Sequence, residues 1–323
     1  MRPIIGTHER MSKSVRRHLR QLVFRLDDLR QWINATIAFG FLNLLKLFPA
    51  DPAIRFADRF ARVIGPLTPR HKLVLHNLGI AYPEKPKRER RELATASWGH
   101  IGRLAAEYVF LDQLFDYDPE RSEPGRIEVS GIDEFTKLHN HKRPFIVFTA
   151  HTGNFELLAV VGATFGLNVT SLFRPPNNPY VADRLINFRK ERMGNLVPSH
   201  AGSSFALARQ LERGGGVGIL VDQKFRKGLP TQFFGKDVQT NPLLAKLVRQ
   251  FDCDVLPARC IRLPNNRFRL ELEPKITIPR DPQGTVDIQQ TAQLLNEKVE
   301  LWVREYPDQW LWYHDRWDRR RKN

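Results

Sequence analysis

The stretch Phe145–Leu158, which reads FIVFTAHTGNFELL, decides how this chain folds. Its first five residues, Phe145–Thr149, are apolar or β-branched, which is typical of a buried strand in an α/β sheet. A turn around Gly153 follows, and after it the spacing of apolar residues becomes helical. The pattern therefore predicts His151 at the carboxyl end of a strand and Glu156 in the first turn of the next helix. Open α/β sheets hold their ligand crevices at such strand ends.

The two ionisable side chains of this stretch predict a general-base dyad. A neutral imidazole at His151 can take a proton near pH 7, and the carboxylate of Glu156 on its other nitrogen would fix the tautomer and stabilise the imidazolium. Gly153 lets the backbone turn without a Cβ, and the N–H groups at the helix start favour negative charge nearby. The alternative is a structural histidine at a strand end, beside a glutamate that complements the helix dipole.

Basic residues outnumber acidic ones by a wide margin in this chain of 323 residues. Lys and Arg number 51 against 35 Asp and Glu, so the formal net charge is +16. That charge implies an acidic partner, such as nucleic acid, an anionic membrane surface or an acidic protein. The two cysteines, Cys253 and Cys260, lie in one apolar, strand-like stretch. They indicate buried structural thiols in a reducing compartment rather than a disulfide scaffold or a zinc site.

The N-terminal fifty residues predict a basic extension followed by a membrane-associated helix. Residues 1–30 are strongly basic and carry no small-residue cleavage site after a clean apolar core, so a secretory signal is not expected. Residues 32–48 are apolar with polar interruptions, and Pro49 ends them. Such a helix reaches only roughly 25 Å, which is marginal for a bilayer core. We expect it to lie in the cytoplasmic leaflet, or alternatively to pack on the domain as an amphipathic helix.

Residues 51–323 predict one domain in three parts: a helical lead-in over residues 51–115, a linker over residues 116–125, and a catalytic core over residues 126–317. Strands alternate with helices in the core, which predicts an α/β fold with a central, mostly parallel sheet flanked by helices. The strictly alternating residues 267–273 are typical of a half-exposed antiparallel strand. The predicted strands are 126–129, 145–149, 168–173, 217–221, 253–261 and 267–273.

Two further strand ends carry polar residues that would converge with His151 at one edge of the sheet. Arg174 follows one apolar run and Asp222-Gln223 follows another. An arginine there would hold a phosphate or offset charge on a thioester oxygen, and Asp222 would anchor the arginine, a water or a substrate amine. A helix cap or surface salt bridge is the alternative for each. Phe233-Phe234 would line an acyl pocket or touch lipid, with core packing as the alternative.

Two common catalytic motifs are excluded by the sequence. The glycines of residues 214–218 precede a strand and are not followed by Gly-Lys-Ser/Thr, so they predict a tight turn rather than a phosphate loop. The chain has no Gly-x-Ser-x-Gly, which removes the usual serine nucleophile elbow. The dyad is therefore expected to activate a hydroxyl of the substrate rather than an enzyme side chain.

Several short motifs together resemble the bacterial lipid A biosynthesis acyltransferases of the lauroyl/myristoyl type, within the glycerolipid acyltransferase superfamily. The superfamily signature is His-x4-Asp/Glu, here His151 to Glu156, although Thr152 stands where the family usually has an aromatic residue. The other matching motifs keep the family order and spread from about residue 70 to residue 317. They are His76-Asn77-Leu78, Tyr82-Pro83-Glu84, Phe173-Arg174-Pro175, Asn178-Pro179, Arg189 with Gly194, Asp222-Gln223, Phe233-Phe234-Gly235 with Thr240, and Gln309-Trp310-Leu311-Trp312 with His314, Arg316 and Trp317.

The resemblance implies transfer of a fatty acyl group from acyl-acyl carrier protein to a hydroxyl of an acylated lipid A precursor. It places this reaction at the cytoplasmic face of the inner membrane, on anionic lipids, with a peripheral attachment or a single N-terminal anchor. The acidic donor and the phosphorylated acceptor agree with the basic chain. No metal and no cofactor are expected beyond the phosphopantetheine of the donor, and nucleic acid is not an expected partner.

Under this hypothesis His151 is the general base, Glu156 orients it, and Arg174 stabilises the oxyanion together with backbone N–H groups near Gly153-Asn154. The residues expected to bind substrate are Gly153, Asn154, Arg189, Asp222, Gln223, Phe233 and Phe234. Three other functions stay open. A lysophosphatidate or other glycolipid O-acyltransferase would share the dyad. A basic nucleic-acid-binding protein would explain the charge but lacks a recognised motif. A metal-dependent hydrolase would use His151 and Glu156 as ligands but lacks a third.

Overall fold

The computed structural model describes residues 13–118, 120–121, 125–140, 143–200 and 202–318. The basic residues before residue 13 lie outside this part of the chain. The helices are α1 (Lys13–Leu45), α2 (Ala50–Ile64), α3 (His71–Ala81), α4 (Lys87–Glu107), α5 (Leu111–Leu114), α6 (Ile132–Asn140), α7 (Leu157–Thr164), α8 (Pro179–Arg192), α9 (Ser203–Glu212), α10 (Leu243–Phe251) and α11 (Ile288–Glu305). The strands are β1 (Ile127–Ser130), β2 (Phe145–Thr149), β3 (Val169–Phe173), β4 (Asn195–Pro198), β5 (Gly216–Leu220), β6 (Leu229–Phe233), β7 (Lys236–Thr240), β8 (Asp254–Leu263) and β9 (Arg267–Leu272).

Within the described residues, seven of the strands form one sheet in the order β1-β9-β8-β2-β5-β3-β4. Every neighbouring pair is parallel except β8 and β9, which are antiparallel. The predicted α/β class with a mostly parallel sheet is therefore confirmed. The alternating residues that predicted an antiparallel strand form β9, and the antiparallel pairing is also confirmed. The two remaining strands, β6 and β7, pair with each other as an antiparallel hairpin.

Strand β2 divides its side chains between the two faces of the sheet, as the period of two in a strand requires. Ile146 and Phe148 face a core that includes residues of α9, α10 and α11, among them Leu207, Leu244 and Val299. Phe145 belongs instead to a second core, built with residues of α6, α7, β8 and β9. The two cores cover both faces of the strand, so its carboxyl end is held in a fixed position.

The N-terminal helix is longer than the sequence analysis predicted. We expected a helix over residues 32–48, whereas α1 runs from Lys13 to Leu45 without a break. Its first glycine is Gly40 and it contains no proline, so nothing in the basic stretch interrupts it. Among the described residues, none of the helices combines the length and apolarity that crossing a membrane would need. The membrane-associated position predicted for this segment therefore stays a prediction.

None of the strands predicted from the sequence covers residues 229–240, which form the β6–β7 hairpin. Phe234 and Gly235 form its two-residue turn, with φ values of 53° and 64°. Positive φ at both central positions is the signature of a type I′ turn, for which Asn-Gly is the usual sequence. Phenylalanine at the first position gives no such signal, and the hairpin was therefore missed. The edge strand β4 was also missed, because it is only four residues long and ends in Pro198.

Candidate active site at the carboxyl edge of the sheet

His151 and Asp222 face each other across two neighbouring strands. Thr149 ends β2 and pairs with Leu220, which ends the parallel strand β5. Each polar residue lies two positions beyond its strand, so the register of the sheet brings them together. Nδ1 of His151 lies 2.7 Å from Oδ1 of Asp222, and the backbone N–H of His151 donates to Oδ2 at 2.9 Å. The carboxylate therefore holds both the ring and the main chain of the histidine.

The Asp222 carboxylate is buried and receives three hydrogen bonds. Only 3% of the residue is exposed, and the indole N–H of Trp310 adds a bond to Oδ2 at 2.8 Å. Burial alone would raise the pKa of Asp222, but the electrostatic interaction with His151 and these hydrogen bonds outweigh it, and the pKa is lowered. The group is therefore ionised at neutral pH. Because an ionised carboxylate only accepts hydrogen bonds, the shared proton lies on Nδ1 of His151.

The second ring nitrogen of His151, Nε2, lies at the surface of the site. The carboxamide of Gln223 lies next to it, with Nε2 of the glutamine 3.2 Å from Nε2 of the histidine. The Phe155 ring meets the imidazole edge-on, with centroids 4.8 Å apart. The side chain of His151 remains 13% exposed. This arrangement presents a basic nitrogen of fixed orientation to a molecule at the edge of the sheet.

Glu156 does not take the position beside His151 that the sequence analysis assigned to it. It lies immediately before α7 and accepts a hydrogen bond from Arg189 of α8. Asp222 occupies the place at Nδ1 that was predicted for Glu156. The His-x4-Glu spacing brought the glutamate near in sequence, but it did not decide which carboxylate reaches the ring. The proposed His151–Glu156 dyad is corrected to His151–Asp222 on this geometry.

Arg189 was predicted to bind substrate, but its guanidinium is buried against protein groups. Besides Glu156, it donates to the hydroxyl of Tyr108 at 2.8 Å and lies 5.4 Å from the centroid of the Phe173 ring. Burial alone would lower the pKa of Arg189, but the charge of Glu156 outweighs it and the pKa is raised. Burial and the Glu156 charge also raise the pKa of Tyr108. The pair therefore links the start of α7 to α8 inside the protein rather than presenting a free charge to a substrate.

The turn after His151 is fixed by the C-terminal segment of the chain. The N–H of Gly153 donates to the carbonyl of Gln309 at 3.1 Å, and the N–H of Leu311 donates to the carbonyl of His151 at 3.1 Å. Gly153 has a φ of +56°, and a Cβ there would lie 2.2 Å from the carbonyl oxygen of Cys260. The Gly153 N–H was predicted to help bind an oxyanion, but it is already used within the protein.

A buried ionic network supports the same turn from below. The side chain of Asn154 donates to Glu107 at 3.0 Å, and Glu107 accepts from Arg262. Arg262 also donates to Nδ1 of His100 at 2.9 Å, while Nε2 of His100 lies 2.9 Å from a carboxylate oxygen of Asp308. Asn154 therefore positions the turn instead of pointing to a substrate. The sequence gives no signal for this network, because its members are far apart in the chain and carry no shared motif.

Arg174 lies at the predicted edge of the sheet and is exposed to solvent. It follows β3, which pairs with β5, so His151, Asp222 and Arg174 end three adjacent parallel strands. The strand order thus confirms that their chain positions converge on one edge. The structure bonds only the first two of these side chains to each other. Arg174 is an exposed cation at this edge of the sheet rather than a partner of the imidazole.

Phe233 and Phe234 are buried in an aromatic cluster, which corrects their predicted position in an acyl pocket. Phe233 stacks on Trp317 and also contacts Trp310, whose indole binds Asp222. Phe234 contacts Tyr82 edge-on. Core packing, the alternative given for these two rings, is what the structure supports. The cluster packs behind Trp310, whose indole N–H donates to the Asp222 carboxylate.

A second histidine, His314, lies close to the site and remains neutral. Its Nε2 accepts the backbone N–H of Lys224 at 2.9 Å, two residues after Asp222. Burial lowers the pKa of His314 to about 4, although the charge of Asp222 opposes this shift. The two cysteines, Cys253 and Cys260, are both buried with free thiols, as predicted.

The sequence matches one protein family and several of its characterised members. A family model described as bacterial lipid A biosynthesis acyltransferase matches residues 21–319. The chain is 23% identical over 265 residues to a lipid A biosynthesis myristoyltransferase of Escherichia coli strain K12, covering 81% of this chain and 79% of the relative. It is 24% identical over 296 residues to the lipid A biosynthesis lauroyltransferase of the same strain, covering 90% and 89%. It is also 23% identical over 286 residues to a lipid A biosynthesis acyltransferase of Haemophilus influenzae, covering 87% and 86%.

Proposed function

We propose that this chain, which belongs to the bacterial lipid A biosynthesis acyltransferase family, is an acyl carrier protein-dependent acyltransferase. It transfers a fatty acyl group from acyl-acyl carrier protein to a hydroxyl of an acylated lipid A precursor. The observation that carries the chemistry is the position of Nε2 of His151, the nitrogen that takes up a proton when the imidazole acts as a base. This nitrogen is presented at the edge of the sheet by an imidazole whose other nitrogen is held by buried, ionised Asp222.

The reaction is a direct transfer without an acyl-enzyme. Nε2 of His151 removes the proton of the acceptor hydroxyl, and the alkoxide attacks the thioester carbonyl. The C–S bond then breaks, and the imidazolium returns its proton to the leaving thiolate of the donor. Asp222 stabilises the imidazolium between these two steps, because the attraction between two opposite charges at this distance is weakly screened when they are buried. A positioned general base contributes about 10² to 10⁴ in rate.

Glu156 acts in this scheme through the position of the helices rather than through the proton. Its pair with Arg189 fixes the start of α7, which directly follows the His151 turn, against α8. A displacement of this helix start would move the imidazole relative to a bound hydroxyl. Small displacements of this kind matter, because near-attack geometry allows little freedom between reacting atoms.

Charge on the oxyanion is stabilised from the rim of the crevice. Arg174 ends the strand next but one to β2 and is exposed, so its long side chain can approach a thioester carbonyl above His151. The carboxamide of Gln223 is a second donor beside the imidazole. Both donors are independent of the Gly153 N–H, which binds Gln309. Preorganised donors of this kind commonly contribute several kcal/mol to the transition state.

The acidic donor protein docks on the loop that follows the catalytic aspartate. Phe225, Arg226 and Lys227 are all exposed and lie only three to five residues beyond Asp222. With Arg174 they place positive charge and one apolar side chain around the crevice. The net charge of +16 adds long-range attraction for an acidic protein. The enzyme needs no cofactor of its own, because the acyl group arrives on the phosphopantetheine of the donor.

The acceptor is a membrane lipid, so the enzyme works at the cytoplasmic face of the inner membrane with a peripheral attachment. Helix α1 contributes to this attachment through exposed apolar residues such as Trp32, Ile33 and Ile37. A helix that lies in the interface needs one apolar side and basic flanks, which α1 has.

The function is tested by incubating membranes that contain the full-length protein with acyl-acyl carrier proteins of several chain lengths. A radiolabelled tetra-acylated lipid A precursor is one acceptor, and lysophosphatidate is the competing acceptor. We expect a single acyl addition to the lipid A precursor, absent from the His151→Ala variant. Transfer to lysophosphatidate alone would identify the enzyme as another glycolipid acyltransferase, and activity of the His151→Ala variant near that of the wild type would exclude the mechanism.

A further inference from the structure

Helix α2 buries mainly small residues and exposes most of its large apolar ones. Its inner face consists of Ala50, Ala53, Ile54 and Ala57, which are all buried. Its outer face carries a row of large apolar residues at helical spacing. They are Phe56 (52% exposed), Phe60 (45%), Val63 (66%) and, in the 3₁₀ turn that follows, Leu67 (77%). An amphipathic helix at a water-exposed surface shows the opposite distribution, so this outer face is built for an apolar neighbour.

The row continues onto helix α1. The Phe41 ring lies 6.3 Å from Phe56 and 5.5 Å from Phe60, measured between centroids, and is stacked on the latter. Ile37 and Leu44 lie four residues before and three residues after Phe41, which makes them its neighbours on the surface of α1, and both are exposed. We refer to Ile37, Phe41, Leu44, Phe56, Phe60, Val63 and Leu67 as the α1–α2 face.

The exposed charged side chains around the α1–α2 face are positive. Both carboxylates of α2 are paired with cations of the domain: Asp51 with Arg126 at 2.6 Å, and Asp58 with Arg103 at 2.9 Å. Exposed cations border the face instead, and they are Lys46, Arg55, Arg59 and Arg70. Apolar side chains surrounded by basic ones fit the boundary between the acyl chains and the headgroups of an anionic bilayer.

Helix α2 is also fixed to the body of the enzyme. A Cβ at Gly102 of α4 would lie 2.3 Å from the carbonyl oxygen of Ala57, so the two helix backbones are in close contact. Asp58 adds a charged link between them, because it accepts a hydrogen bond from Arg103 of α4. Whatever binds the outer face of α2 therefore sets the orientation of the whole domain, including the sheet edge with His151.

We propose that the α1–α2 face inserts into the headgroup region of an anionic lipid bilayer, and that α2 holds the catalytic domain on this surface as a fixed part of it. The inference goes beyond acyl transfer and does not depend on the identity of donor or acceptor. It places the membrane contact on the body of the enzyme as well as on its N-terminal helix. A second copy of the chain is the competing occupant of the same face.

The test uses full-length protein and sucrose-gradient flotation with vesicles of phosphatidylethanolamine and phosphatidylglycerol at 3:1, or of phosphatidylcholine alone. The variant carries Phe56→Gln, Phe60→Gln and Leu67→Gln. Phe205→Gln is the matched control, because Phe205 is 78% exposed on α9, away from this face. We expect the triple variant to bind the anionic vesicles about tenfold more weakly, and the control to bind like the wild type. The wild type should bind the phosphatidylcholine vesicles less.

Two further measurements separate the possible outcomes. Thermal unfolding should be nearly unchanged in the triple variant, since these side chains are largely exposed; wild-type vesicle binding by this stably folded variant would overturn the proposal. A wild-type dimer in light scattering that becomes monomeric in the variant, with vesicle binding unchanged, would assign the face to a second copy.

Acyl transfer in mixed detergent micelles should persist in the variant. Loss of vesicle binding with transfer kept would thus separate this face from the catalytic proposal.

Discussion

The indole N–H of Trp310 donates to the same carboxylate of Asp222 that holds His151, at a distance of 2.8 Å. Trp310 belongs to the segment whose backbone also pairs with the turn after His151, through a bridge between Thr152 and Trp310. One residue near the end of the chain therefore fixes both halves of the candidate dyad. The aromatic C-terminal motif and the histidine motif thus meet in the fold, although 158 positions separate Trp310 from Thr152.

Asp222 should be essential for the reaction. In Asp222→Asn the neutral carboxamide no longer offers a negative charge to the N–H at Nδ1 of His151. The substitution therefore removes the group that selects the tautomer and stabilises the imidazolium. We expect kcat to fall by about 10² to 10⁴, measured on protein shown to be folded by circular dichroism. Asp237→Asn is the control, since Asp237 is exposed on the β6–β7 hairpin. Activity of Asp222→Asn within threefold of the wild type would contradict the His151–Asp222 assignment.

Glu156 should matter more for stability than for proton transfer. Glu156→Gln leaves the buried guanidinium of Arg189 without its charge partner, which costs about 3–5 kcal/mol when one member of a buried pair is removed. We expect a lower unfolding midpoint in urea, with kcat per folded enzyme reduced less than in Asp222→Asn.

The control for this pair is a double-mutant cycle with Arg189→Met. The variant Glu156→Gln/Arg189→Met should be less destabilised than the sum of the two single variants, because it leaves no unpaired buried charge. If Glu156→Gln instead unfolds like the wild type and loses activity as completely as His151→Ala, the glutamate takes part in the chemistry.

The free energy of unfolding should decrease as the pH falls, because His314 is harder to protonate in the folded protein than in the unfolded chain. Its pKa is about 4 in the folded protein and about 6.5 when unfolded, so the unfolded chain binds the extra proton between these values. The contribution of this neutral histidine is therefore present above pH 6.5 and is lost as the pH falls towards 4, by up to about 3 kcal/mol. The unfolding midpoint in urea, measured between pH 7 and pH 4.5, should fall less steeply in His314→Gln. Identical slopes in both proteins would show that another group carries the effect.

Gly153 should not tolerate a side chain. Gly153→Ala combines a positive φ with a Cβ that meets the carbonyl oxygen of Cys260, so the turn must shift and His151 with it. We expect the loss of stability to exceed the roughly 1–2 kcal/mol of a left-handed alanine, and activity to be largely lost. Gly235→Ala is the matched control, because Gly235 also has a positive φ, of 64°, but open space at the Cβ. Equal effects of both substitutions on urea unfolding would contradict the steric argument.

The loop after Gln223 should determine the affinity for the donor protein. Arg226→Glu/Lys227→Glu is expected to raise KM for acyl-acyl carrier protein about tenfold at low salt, with kcat unchanged and the difference reduced at high salt. The small donor acyl-pantetheine should be used equally well by both proteins. Arg209→Glu/Arg213→Glu is the control, because these exposed cations belong to the end of α9 that precedes β5, at the opposite edge of the sheet. An unchanged KM in the loop variant would move the docking site elsewhere.

The sequence by itself determined the α/β class, the buried strand Phe145–Thr149 with its stated bounds, and the position of His151 at a strand end. It could do so because periodicity and β-branched content are local properties of the chain. It also predicted that Arg174 and Asp222 end strands at the same edge, since parallel strands share a direction. The hairpin was missed because Phe-Gly is not a usual turn sequence. The length of α1 was missed because a basic stretch without glycine or proline is compatible with either a helix or a loop.

Only the tertiary structure decided which carboxylate serves His151. Glu156 is five positions away and Asp222 is 71 positions away, but the register of β2 against β5 brings the distant residue to the ring. The near one is bound by Arg189 of α8. Spacing along the chain limits which groups can meet, whereas strand order and burial select the pair that does, because a buried carboxylate must find a partner for its charge.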